Sequence, residues 1–112
     1  MFAVMYRWRL KPGTELQFAS AWAERTRAIL QKEGGLGSRL HRTDDGWFIA
    51  YAQWPSRAAW EVFMATSSAP SPAGSLMRSC IEASQEPLCL EVIADLLANE
   101  VAPVQQGTAT PD

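Results

Sequence analysis

The chain has 112 residues, of which 47% are hydrophobic and 20% charged, and its formal net charge is −2. These values are typical of one globular domain, and the small negative charge gives no reason to expect binding to nucleic acid or to an anionic membrane. No apolar stretch approaches the roughly 20 residues of a membrane span, and the N-terminus shows no signal-peptide pattern. We therefore expect a cytoplasmic protein.

The first two predicted elements are a strand and a long helix. Residues 2–10 alternate between a wholly apolar set and a mixed set, which is typical of a strand with one face on a core. After a turn at Pro12, Thr14 and Gln17 match a capping box and predict the start of a helix. Apolar residues then recur at helical spacing from residue 15 to about residue 33, which predicts an amphipathic helix laid on a sheet.

A hairpin is predicted next. Residues 36–43 alternate weakly and predict a second strand, and the Asp-Gly pair at residues 45–46 suits a short turn. The third strand, residues 47–54, has Gln53 as its single polar residue, so both of its faces are apolar. Such a strand belongs in a sheet that is covered on both sides. Helices can cover one side, and a second copy of the chain is the economical cover for the other.

A second helix follows the third strand. Pro55 ends that strand, Ser56 is a suitable cap, and residues 57 to about 65 predict a helix. The next stretch, residues 66–75, is rich in Ser, Ala and Pro and predicts a loop.

The C-terminal part is predicted to hold a short helix, a last strand and a tail. Pro72 suits a first helical position, and a short apolar stripe at helical spacing runs on to Ile81. Alternation at residues 88–93 predicts the last strand. We expect one domain over residues 1–98 and a mobile tail over residues 99–112, because the tail has little apolar surface to bury.

The order of these elements predicts an α+β fold. With right-handed crossovers, it gives a ferredoxin-like four-stranded antiparallel sheet with helices on one face. The uncovered face has to be hidden, so we expect a homodimer formed through that face.

Several short segments resemble the antibiotic biosynthesis monooxygenase (ABM) domain. These are residues 6–13 (Tyr-Arg-Trp-Arg-Leu-Lys-Pro-Gly), Phe18 and Trp22, residues 35–41 (Gly-Leu-Gly-Ser-Arg-Leu-His), Asp45-Gly46 and residues 53–56 (Gln-Trp-Pro-Ser). The resemblance covers about residues 2–95. It implies a dimeric α+β barrel with a pocket between sheet and helices in each protomer. Members of the family include cofactor-independent oxygenases of aromatic polyketides, quinol oxidases, haem-degrading enzymes and proteins without an assigned activity.

The residues of the haem-degrading branch do not transfer to this chain. Tyr6 stands about where that branch has an Asn on the first strand, and Phe63 about where it has a Trp. No histidine follows His41, so the proximal haem ligand has no candidate. We therefore expect no haem and, with one histidine and two separated cysteines, no metal site or other bound cofactor.

An oxygenase without a cofactor needs a substrate that itself supplies the electrons, and the protein has to bind it, favour its ionised form and exclude water. Tyr6 and His41 are the candidate catalytic residues, Tyr6 as a polar handle and His41 as a base, since an unperturbed histidine titrates near neutral pH. The candidate substrate-binding residues are the aromatic and cationic ones nearby in the predicted fold, namely Arg7, Trp8, Tyr51, Trp60 and Phe63.

A competing hypothesis is a non-catalytic dimeric module that binds a small apolar molecule or only packs. An enclosed pocket lined by Tyr6, Trp8 and a polar group would favour the oxidoreductase. An interior filled by side chains would favour the module. In either case the expected ligand is a small molecule, which is aromatic for the oxidoreductase.

Overall fold

The structure, a computed structural model, describes residues 1–67 and 71–97 of the chain. The elements in chain order are β1 (Phe2–Leu10), α1 (Glu15–Lys32), β2 (Gly37–Arg42), β3 (Trp47–Trp54), α2 (Arg57–Thr66), α3 (Pro72–Cys80), β4 (Ile81–Ser84) and β5 (Leu88–Glu91). The α+β class is therefore confirmed. The predicted tail, residues 99–112, lies outside the described residues.

All of these strands belong to one antiparallel sheet, in the order β2-β3-β1-β4 with β5 also paired to β1. The centre of the sheet is the pair of β1 and β3, whose register runs from Phe2 opposite Trp54 to Arg9 opposite Trp47. This is the predicted ferredoxin-like arrangement, with helices on one face.

The prediction of four strands is wrong, because the last strand is split in two. β4 pairs with the C-terminal end of β1 and β5 with its N-terminal half, so the two short strands lie in line along one edge. The Gln85 N–H still donates to the Arg7 carbonyl at 3.0 Å, and the ladder then breaks before Leu88. Pro87 contributes to this break, since proline has no N–H to donate.

α3 ends at Cys80, one residue before the end of the apolar stripe that predicted the helix. Ile81 continues the helical spacing but is the first residue of β4. The Cys80 carbonyl accepts a hydrogen bond from the Lys11 N–H at 2.8 Å, which draws the chain onto the edge of β1. Tertiary pairing therefore overrides the local period at this point.

The sequence predicted the capping residues of some helices correctly and of others not. Ser56 caps α2 as expected, accepting from the Ala59 N–H at 3.1 Å. Ser71 caps α3 in the same way, and the helix begins at Pro72, the position that suited a helix start, although the composition of residues 66–75 predicted a loop. The capping box at Thr14 is wrong: its hydroxyl instead donates to the Lys11 carbonyl at 2.7 Å, within the preceding turn.

The even-numbered residues of β1, β2 and β3 point towards the helices, and we call this side the helix face; the odd-numbered residues form the open face. The core lies on the helix face in two clusters. One surrounds Phe18 of α1, which is completely buried, and the other surrounds Val4 of β1, which is also completely buried.

Candidate functional site

A cavity of about 180 Å³ lies between the helix face and the helices. Ala50 and Ala52 of β3 lie beneath it, and their small side chains leave room between the larger residues on either side. An apolar cavity of about 150 Å³ is known to hold benzene, so this one has room for a small aromatic ring. Its walls include the side chains of Tyr6, Trp8, Trp22, Arg25, Trp54 and Phe63.

Tyr6 brings a half-buried hydroxyl to the cavity. The Trp60 Nε1–H donates to the Tyr6 hydroxyl oxygen at 3.1 Å, which leaves the proton of Tyr6 free for another acceptor. Burial raises the pKa of Tyr6, and the hydrogen bond from Trp60 offsets part of that rise. Because Tyr6 stays neutral at physiological pH, it can donate a hydrogen bond to a ligand oxygen.

Aromatic rings hold the walls of the cavity in place. Tyr6 stacks on Trp8 with ring centroids 5.7 Å apart and planes 2° from parallel. Trp8 in turn meets the buried Phe18 edge to face at 5.3 Å. On the other side, Trp54 and Phe63 have centroids 4.9 Å apart. Such contacts fix ring orientations and keep the cavity apolar.

Arg25 of α1 is the charged residue among the described residues that line the cavity. Its Nη1 donates to Glu33 Oε2 at 2.7 Å and its Nη2 donates to Ser67 Oγ at 2.6 Å. The guanidinium carbon lies 5.7 Å from the centre of the Phe63 ring. The hydrogen bond from Arg25 lowers the pKa of Glu33. Arg25 therefore ties the end of α1 to the end of α2 beside the cavity.

Two further polar atoms lie in residues that border the cavity. Ser38 Oγ and Trp54 Nε1 are buried, and neither has a hydrogen-bond partner in the part of the chain that the structure describes. Buried polar groups are usually paired, so these two stand out among the residues that border the cavity.

The structure divides the predicted site residues between the two faces of the sheet. Tyr6, Trp8 and Phe63 line the cavity, and Trp60 reaches it through its bond to Tyr6. The other three lie on the open face: these are Arg7, His41 and Tyr51. His41 is exposed, with Nδ1 lying 3.2 Å from the Ile49 carbonyl oxygen, so Tyr6 and His41 do not share one site within a protomer.

The sequence analysis missed Arg25 and the two alanines. The prediction for α1 considered only its apolar residues and left Arg25 out. However, it follows Trp22 by three residues and precedes Ile29 by four, and both of those residues line the cavity. This spacing places Arg25 on the same side of the helix. The small residues Ala50 and Ala52 within an aromatic strand were the available signal for an empty space.

The open face carries a wider and shallower groove of about 1050 Å³. Met5, Ile49 and Tyr51 of the sheet line it together with residues in the segment 92–97. Beside it, the Arg7 and Arg9 guanidinium carbons each lie 4.7 Å from the centre of the Trp47 ring.

Over residues 1–67 and 71–97, no group of three His, Cys, Asp or Glu side chains is placed to hold a metal ion. The helices described there are all too short or too polar to cross a membrane.

The sequence and the fold are similar to those of known proteins. The ABM family model, antibiotic biosynthesis monooxygenase, matches residues 1–69. The chain therefore belongs to the antibiotic biosynthesis monooxygenase family, as the resemblance predicted. No curated protein matches it.

Solved structures share the fold at low sequence identity. SnoaB from Streptomyces nogalater, a cofactor-independent oxygenase, has a TM-score of 0.65 and 23% identity over 85% of this chain and 95% of its own. A Bordetella bronchiseptica protein that bears the same family name has a TM-score of 0.71 and 16% identity over 83% of this chain and 97% of its own. Rv0793 from Mycobacterium tuberculosis has a TM-score of 0.63 and 15% identity over 86% of this chain and 98% of its own. These likenesses concern the fold.

Proposed function

We propose that the protein is a cofactor-independent monooxygenase or quinol oxidase that acts on a small, electron-rich aromatic molecule in the cavity on the helix face. Tyr6 is the observation that carries this proposal. Its hydroxyl accepts from Trp60, keeps its own proton at neutral pH and borders an aromatic cavity of about 180 Å³. A concave, mostly apolar space with few polar groups is typical of small-molecule sites.

In this proposal the substrate supplies the electrons. A phenol or enol passes its proton to water as it binds, and Tyr6 donates a hydrogen bond to the resulting anionic oxygen. A quinol would pass an electron pair to O₂, which takes up two protons from water, giving a quinone and hydrogen peroxide. An anthrone methylene would instead gain one atom of O₂ as a new carbonyl, while the other atom leaves as water with both methylene hydrogens. The aromatic walls exclude bulk water during either reaction.

The test is O₂ uptake with a panel of hydroquinones and anthrones. We expect Tyr6→Phe to lower the turnover rate by roughly a hundredfold, as removal of one oxyanion donor does, with a small change in stability. His41→Ala is the control, because His41 lies exposed on the open face. If Tyr6→Phe were silent in an active enzyme while His41→Ala abolished turnover, the site would lie on the open face.

A non-catalytic binding module is the second candidate. It is favoured by one observation: the described residues that line the cavity include no histidine and no carboxylate, so the usual proton acceptors are missing from its wall. Aromatic ligands would then bind without consumption of O₂. Silence across the whole panel, with binding retained, would support the module against the oxygenase.

We also propose a homodimer formed through the open face. Met5, Ile49 and Tyr51 are half-buried there and leave a groove beside the segment 92–97, in which Leu96 is 96% exposed. Leaving such apolar surface in water costs about 25 cal/mol per Å². Sedimentation that showed a monomer at micromolar concentration would contradict this proposal.

A further inference from the structure

We propose that Arg25 is a specificity-determining residue, which makes the cavity select anionic aromatic ligands, and that its partner Glu33 restrains this selection. The inference deepens the proposed function and rests on it for the ligand being a phenol or enol. It adds the charge state in which that ligand is preferred and the residue that sets the preference.

The composition of the cavity wall is the first support. Arg25 and Tyr6 are the titratable side chains among the described lining residues, and neither carries a negative charge at neutral pH. Tyr6 is neutral at neutral pH, because its ordinary pKa is 10.0 and burial raises it further. The net charge on the wall is therefore that of Arg25, and a negative ligand meets no like charge there.

The remaining donors of Arg25 are the second support. Its bonds to Glu33 and Ser67 use one N–H on each terminal nitrogen, so the guanidinium retains further N–H groups for a ligand. Its side chain is only 21% exposed, which weakens solvent screening of the charge relative to a surface arginine. Contact with the Phe63 ring holds the guanidinium beside the cavity rather than out in water.

Glu33 limits the preference of the cavity for anionic ligands. Its carboxylate lies 2.7 Å from Arg25 Nη1, yet Glu33 itself is not among the residues that line the cavity. The ion pair thus reduces the positive potential that a ligand experiences while it keeps the guanidinium in position. Glu33→Gln preserves a carbonyl oxygen that can accept from Arg25 but removes the charge. It should therefore strengthen anion selection, whereas Arg25→Met should abolish it.

The experiment uses 4-nitrophenol, whose phenolate is coloured and whose binding requires no turnover. Binding is measured by absorbance titration below and above the probe's own pKa. We expect the wild-type protein to bind the phenolate about tenfold more tightly than the phenol, which equals one unit of pKa shift on the bound probe. Arg25→Met should bind both forms alike, and Glu33→Gln should widen the preference by roughly threefold.

Arg57→Met is the matched control. Arg57 also pairs with a glutamate, Glu61, and also lies over an aromatic ring, that of Phe2, but it does not line the cavity. It should keep the wild-type preference. Folding of each variant is checked by circular dichroism, and Glu33→Gln tests the proposal by itself if Arg25→Met fails to fold.

Equal binding of phenol and phenolate by the wild-type protein would overturn the inference, as would a smaller preference in Glu33→Gln. These outcomes are separate from the proposed function. Turnover of hydroquinones without anion selection would remove the role of Arg25 and leave the oxygenase. Anion selection without O₂ uptake would keep the role of Arg25 and remove the oxygenase.

Discussion

The two faces of the sheet are built from the same strands and have opposite characters. On the helix face, Val4 is fully buried and Phe48 is 9% exposed, and the helices close over both. On the open face, their neighbours Met5 and Trp47 stay half-buried, and arginines lie against Trp47. The helix face thus forms the core and borders the cavity, whereas the open face stays partly exposed in the part of the chain that the structure describes.

The largest difference between the faces should appear when a buried ring is removed. Phe18→Ala should lower the free energy of unfolding by about 3–5 kcal/mol, because Phe18 is completely buried at the centre of one core cluster. Leu16→Ala on the same helix is the control, since Leu16 is 88% exposed and should matter little. Denaturant unfolding measures both variants, and similar losses in the two would contradict this account of the helix face.

A charge introduced on the open face should change dimer formation rather than the stability of the fold. If it is the dimer interface, Tyr51→Glu places a charge among Met5 and Ile49 in the groove and should convert the dimer to a folded monomer. Leu16→Glu introduces the same charge on the exposed side of α1 and should leave the dimer intact. Sedimentation velocity distinguishes the two, and an unchanged dimer in Tyr51→Glu would place the interface elsewhere.

A smaller effect should separate the faces at alkaline pH. Burial raises the pKa of Tyr6 above its ordinary value of 10.0. Above that value the unfolded chain loses the proton while the folded protein keeps it, so the contribution of Tyr6 to stability is complete below pH 10 and is lost as the pH rises towards the folded-state pKa. Wild type should therefore lose stability relative to Tyr6→Phe above pH 10.

Thermal melts over the alkaline range measure that difference. Tyr51→Phe removes a phenol from the open face and serves as the control for general loss of a tyrosine. A gap between wild type and Tyr6→Phe that stayed constant with rising pH would show that burial of the Tyr6 hydroxyl has no such effect.

The smallest effect is expected for the ion pair of Arg57 and Glu61 on α2. Their side chains are 61% and 60% exposed, and such i,i+4 pairs contribute about 0.3–0.5 kcal/mol. Arg57→Ala should therefore barely change the melting temperature. A loss of several degrees would mean that the contact between Arg57 and the Phe2 ring, rather than the ion pair, holds α2 on the sheet.

The sequence predicted the elements whose local pattern and tertiary role agree. β1 and β3 have the predicted bounds, because long runs of alternating or continuously apolar residues strongly favour a strand. β4 was missed because Ile81-Glu82-Ala83-Ser84 contains one strong strand former, and its pairing with β1 decides its conformation. Neither the hydrophobic period nor the composition of that segment indicates that it pairs with β1.

The candidate site was predictable only in part. Residue parity along β1 places Tyr6 and Trp8 together on the helix face, and the same parity, carried through the register of β2 and β3, assigns His41 and Tyr51 to the open face. The sequence analysis grouped all four because the register was unknown. The bonds from Arg25 to Glu33 and Ser67 depend on how α1 and α2 are oriented, which no local pattern specifies.

The central position of β1 also bears on how the protein is made. β1 (Phe2–Leu10) is made before all the strands with which it pairs, which are β3 on one side and β4 and β5 on the other, as far as Glu91. Both edges of β1 can therefore be paired only after nearly all of the described chain has been synthesised. Pairings between such distant segments make folding slow and leave strand edges open to aggregation in the meantime. A nascent chain of this protein would gain from a chaperone that shields its first ten residues until β5 has emerged.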